Sequence, residues 1–143
     1  MMEAITLWRP WELATLYGGK DVENRSWVLP FRMRGKPFAL HAGQKFDKDG
    51  EATILRILGI QSLAELWHGA SEPGVVVGVA SVDRVVQPGD RLDKASESPW
   101  LFGPWGWVWR DVRALPRPVP CKGRQGFWRL PPAVEAAVRE QLP

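Results

Sequence analysis

Residues 74–86, GVVVGVASVDRVV, are dense in β-branched valine, the side chain that packs best on a pleated surface. Downstream, WGWVWRDVRAL (105–115) alternates, with Trp105, Trp107 and Trp109 on one side and Gly106, Val108 and Arg110 on the other. Two such segments predict a sheet, the second strand half-buried with an aromatic face. Between them QPGDRLDKASESPWLFGP (87–104) is polar and then rich in proline and glycine, so it reads as a long loop of the kind that often carries function.

The rest of the chain interleaves short strands with short helices. AITLW (4–8) reads as a first strand, and Pro10 then stands at a natural helix start with Leu13, Leu16 and Tyr17 on one face and Gly18-Gly19 as the stop. VENRSWVL (22–29) reads as a second strand with Glu23, Arg25 and Trp27 on one face, ended by Pro30. PFALHAG (37–43) reads as a buried strand carrying His41. Helices are expected over 47–59, with Gly59 as the stop, and over 62–69, where Ser62 and Glu65 have capping-box spacing. PVPCKGRQGFWRL (118–130) fits a turn and a short strand, and PPAVEAAVREQL (131–142) an amphipathic helix with Val134, Ala137 and Val138 inward. At 143 residues this predicts a single domain, residues 1–143, of small α+β or β-barrel type.

Composition excludes several classes of function. No apolar run approaches the roughly 20 residues of a membrane helix, and MMEAITLWRP lacks the features of a secretory signal, so no membrane partner and a cytoplasmic location are expected. One cysteine and two histidines leave no metal-ligand spacing, so neither a metal nor any other cofactor is expected. The net charge of +3 is unevenly spread. Residues 20–46 hold six Lys or Arg against Asp21 and Glu23, residues 110–129 hold six against Asp111, and residues 47–97 hold five against nine acids. Should the basic segments share a face, that face would attract phosphates; the alternative is scattered solvated charge.

Nine tryptophans are a heavy load for this length. Most are expected in the core and one or two along a site, where indoles stack on bases. In GGKDVENRSW (18–27) the glycines leave room for a ligand to approach, Lys20 is a point charge, and Arg25 is a rigid fork for carboxylate or phosphate. Glu23 either pairs with Arg25 or accepts hydrogen bonds from a ligand amine, and composition does not choose between them.

LWRPWELATLYGGKDVENRSW resembles the N-terminal signature of the ASCH domain, a Pro-Trp helix start followed by a G-x-K-[T]-x-E-x-R pattern. Gly18, Lys20, Glu23 and Arg25 match it, while Asp21 stands where threonine is commonest. RGKPFALHAG (34–43) is similar to the family's histidine-ending strand, and PVPCKGRQGFWRLP (118–131) to its proline-rich return and G-x-Q-G turn. The resemblance implies a PUA-like β-barrel with short helices packed across its ends and a cleft beside the first helix that takes RNA or a nucleoside. It places Arg9, Lys20, Glu23 and Arg25 at that cleft, with Trp8, Trp11 and Trp27 as stacking walls and His41 on the floor.

Three readings follow. The first is a nucleic-acid binding module in which phosphates meet Arg25, Arg32, Arg34 and Lys36 while a splayed base, modified or not, is read by Glu23. The second is a small hydrolase, a ribonuclease or an N-acylcytidine amidohydrolase, using Lys20 and Glu23. In acyl-removing members a threonine three residues past the lysine is the expected nucleophile, and here that position is Glu23, which argues against that mechanism. The third is a protein-interaction domain using SPWLFGPWGWVW (98–109), with a protein as partner.

Overall fold

A computed structural model of the chain describes residues 1–69 and 71–143. The strands are β1 (Glu3–Arg9), β2 (Val22–Arg25), β3 (Phe38–Phe46), β4 (Val75–Val86), β5 (Trp105–Pro120) and β6 (Trp128–Arg129), and the helices are α1 (Trp11–Tyr17), α2 (Lys48–Leu58) and α3 (Pro132–Arg139). The strands form one six-stranded sheet in the order β2-β5-β4-β3-β1-β6. Among these strands β1 and β3 run parallel and the other neighbouring pairs antiparallel.

The valine strand and the tryptophan strand are neighbours inside the sheet, with Gly106–Trp109 of β5 and most of β4 buried. One face packs Ile5, Leu7, Phe38, Leu40, Trp107 and Trp109 together, and the other packs Ala39, Val76, Val79 and Trp128 against Val138 of α3. A third cluster holds α1, α2 and the loop before β5 together through Ala14, Ile54, Val86, Trp100 and Val108. Among the described residues no helix is long and apolar enough to cross a membrane.

Four expectations change. The 22–29 strand stops at Arg25, because its partner β5 begins at Trp105, directly opposite that residue. β5 continues past Leu115 to Pro120; Pro116 and Pro118 are exposed there, beyond the stretch that β2 covers, where no neighbour needs their missing N–H. The capping box at Ser62 and Glu65 forms, yet it starts only a single 3₁₀ turn, Leu63–Glu65. Leu63 and Leu66 are only half-buried, too little apolar burial to propagate a helix from that nucleus.

The fourth concerns the barrel. The sheet is α+β in class but does not close, since its edge strands β2 and β6 are four and two residues long and share no hydrogen bonds. Side chains bridge the gap instead. Trp27, just past β2, meets Phe127, just before β6, with ring centroids 6.0 Å apart, and Arg25 Nη2 donates across the gap to the Thr6 carbonyl at 3.0 Å.

Candidate functional site

The open seam has a consequence at β1. Its β6 neighbour covers only Glu3 and Ala4, so Thr6, Leu7 and Trp8 face across toward Glu23–Trp27 with no strand between them. The space they enclose is a cleft of about 440 Å³, capped at one end by Trp11 of α1 and by Phe102 from the long loop.

The cleft floor is a chain of paired charges. Lys20 Nζ donates to the Val22 carbonyl at 2.5 Å and to Glu23 Oε1 at 3.2 Å, and sits 5.4 Å from the Trp11 ring centroid. Arg25 Nη2 holds the other oxygen of Glu23 at 2.9 Å while its guanidinium lies over Trp107, 5.8 Å from the centroid. Alternation along β2 puts Glu23 and Arg25 on the same face, and the turn through Gly19 (φ +71°) swings Lys20 back beneath them. Lys20 is only 4% exposed, and burial pushes its ammonium pKa below the usual lysine value against the opposing pull of Glu23. The Nε of Arg25 is buried without a partner among the described residues.

The walls are fastened from elsewhere in the chain. Trp11 Nε1 donates to Asp47 Oδ2 at 2.9 Å, and the other oxygen of that carboxylate accepts from the Gly50 N–H at 2.9 Å as the N-cap of α2. Gly50 is required by this fit, since a Cβ there would lie 2.6 Å from Trp11 Nε1. Asn24 pins the loop: its side chain donates to the Trp100 carbonyl and accepts from Phe102 and Gly103 N–H, which holds the half-exposed Phe102 edge-on to Trp11 at 6.2 Å. Trp8 is 52% exposed at the rim, with Lys45 Nζ 3.5 Å from its ring centroid.

Lys20, Glu23, Arg25, Trp8, Trp11 and Trp27 thus surround one cleft, and the other four candidates lie outside its lining. Arg9 is spent on structure, donating to the carbonyls of Gly43, Gln44 and Ser71 and covering Phe46. Arg32 pairs with Glu3, and Arg34 donates to the Asp83 carbonyl at 2.9 Å, so neither shares the seam. His41 is not the floor; Thr6 stands between it and the cleft. Its Nε2 donates to the Cys121 carbonyl at 2.7 Å and its Nδ1 accepts from Thr6 Oγ1 at 3.1 Å, a neutral tautomer consistent with burial pushing its pKa down. What His41 does is seat the 121–124 turn, where Gly123 packs so closely that a Cβ would lie 2.5 Å from the imidazole.

Sequence reasoning missed Asn24, Asp47 and Phe102, along with Lys45 as the partner of Trp8. The aromatic segment proposed as a partner surface is largely spent inside: Trp100, Trp107 and Trp109 are buried, Trp105 is half-buried, and Phe102 turns to the cleft.

No protein-family model and no curated protein matches the sequence. Among solved structures, the chain is similar to the crystal structure of ASCH from Zymomonas mobilis, with a TM-score of 0.55 at 15% identity over 97% of this chain and 94% of that one. Two mutants of the Zymomonas protein superpose with TM-scores of 0.51 and 0.50, each at 16% identity over 97% of this chain and over 94% and 96% of theirs. The superposition spans sheet and helices alike, and the chain accordingly has the fold of the ASCH domain.

Proposed function

We propose that the chain is an RNA-binding module that takes one nucleotide, plain or modified, into the seam cleft, and that it works in the cytoplasm without a cofactor. The observation that carries this reading is the pairing of a charged floor with indole walls in a space of about 440 Å³, within the usual range for a small organic ligand. Trp8, exposed on the rim, offers a π-face to a base, and Lys45 behind it supplies a phosphate contact. Glu23 has both oxygens held by cations, so its role is to fix Lys20 and Arg25 at the cleft floor. The PUA-like character implied by the sequence resemblance supports the same reading.

The test is fluorescence anisotropy of labelled single-stranded RNA at increasing salt. Binding that weakens steeply with salt, and weakens again in Trp8→Ala, is the expected result. A flat salt response together with unchanged Trp8→Ala affinity overturns it.

A hydrolytic reading has one observation in its favour. Lys20 is buried at the cleft floor with its pKa lowered, the direction that favours an amine serving as a base. Release of cytidine from N-acylated cytidine, or of fragments from RNA, that is lost in Lys20→Met while the protein stays folded would establish it. Intact substrate after long incubation with the unmodified protein would end it.

A further inference from the structure

Helix α1 has a second face. Across it from the cleft lies a recess of about 190 Å³, walled by Tyr17 and Trp67, whose rings stack with centroids 4.4 Å apart and planes 2° from parallel. Glu12 reaches into this recess from α1 and is 1% exposed. Its Oε2 accepts from Ser71 Oγ at 2.6 Å, while its Oε1 is buried with no hydrogen-bond partner among the described residues. Neither reading of the cleft uses this group.

A buried carboxylate oxygen without a donor is costly, and a full negative charge without a counter-ion costs more. Arg9 pulls on Glu12 through space, but its N–H groups go to the carbonyls of Gly43, Gln44 and Ser71 and not to the carboxylate. A second carboxylate, Glu72, lines the recess, and no Lys or Arg does. The remaining wall is apolar, from Leu13, Leu16 and Val77.

We propose that this recess is a binding site for a primary ammonium or guanidinium group on a short aliphatic stem, with Glu12 as its counter-ion. The positive head supplies what Oε1 lacks, a donor that carries its charge into direct contact, and the electron-rich rings of Tyr17 and Trp67 favour a cation beside them. The stem lies against the leucine and valine wall. The volume admits a group of amino-acid side-chain size and not a nucleoside, so the recess and the cleft select different ligands. The proposal stands independently of RNA binding.

The test is NMR titration of the intact chain with n-butylammonium and, separately, n-butanol, following the methyls of Leu13 and Leu16 and the indole N–H of Trp67. Saturable shifts with butylammonium and much smaller ones with butanol are expected, and Glu12→Gln, which keeps the shape and the Ser71 contact, should weaken the amine about tenfold or more. Trp67→Ala, a change on the partly exposed wall, should weaken it without altering the fold. Equal response to amine and alcohol, or undiminished amine affinity in Glu12→Gln, would mean that Glu12 is merely protonated in a recess with no preference for cations, and would overturn the proposal.

Discussion

The two faces of α1 handle buried charge in opposite ways. On the cleft side, Glu23 is clamped between Lys20 and Arg25 and every one of its oxygens has a cationic donor. On the recess side, Glu12 shares one oxygen with a serine and leaves the other bare. A carboxylate with both oxygens filled is stiff and holds its place with or without a ligand; a half-satisfied one gains by capturing something. Burial alone therefore does not say whether a charged residue is scaffold or receptor, and the state of its hydrogen bonds does.

The largest expected effect removes the clamped carboxylate. Glu23→Ala strands Lys20 and Arg25 without their counter-charge and should cost about 3 to 5 kcal/mol in urea denaturation; a loss well below 1 kcal/mol would show that water already screens the floor. Next, Trp8→Ala should weaken RNA by about 1 to 3 kcal/mol, the usual worth of a stacked base. Its thermal stability should barely move, because the side chain is half in solvent. Smaller again, Glu12→Gln should stabilise the ligand-free protein by about 1 kcal/mol, since it removes a buried charge that lacks a donor; destabilisation would mean that the Arg9 field already balances Glu12.

The smallest effect is a pair of opposed pH slopes. Lys20 titrates below its ordinary 10.5 in the folded chain, so between the two values the unfolded chain holds more protons and stability rises with pH. Glu12, raised by burial above its ordinary 4.5, holds its proton longer when folded, so stability falls as pH rises from 4.5 through the folded value. Lys20→Met should flatten the alkaline rise and Glu12→Gln the acid-side fall, measured by chemical denaturation across pH. A slope that survives its own substitution would assign that buried charge to another group.

Much of this was legible before any coordinates. The longest strand pair, β4 with β5, came from valine density and tryptophan alternation, and Glu23 and Arg25 share a face because strand period leaves no choice. Closure was not legible: whether edge strands meet depends on how many residues each finds a partner for, and β2 runs out where β5 begins. Arg32 and Arg34 look like phosphate ligands by proximity to the cleft-forming stretch, yet a 3₁₀ turn at Phe31–Met33 carries them to Glu3 and the Asp83 carbonyl. Asp47 and Phe102 lie far along the chain from the residues they position, and no local spacing announces such a partner. Three tryptophans, Trp107, Trp109 and Trp128, are buried with indole N–H groups that find no acceptor among the described residues. Their bulk serves the core despite that unmet polarity, which is why a count of indoles overstates the site.

Asp47 ties two events into one. The same carboxylate that starts α2 also holds the indole of Trp11, and those two hydrogen bonds keep its pKa below the usual aspartate value. Deep acidification that protonates it would release the helix's first turn and the cleft's end wall together. The pocket's aperture is thus geared to the winding of a neighbouring helix, and a mutation that frays α2 from its solvent side would be felt as a change in grip at the seam.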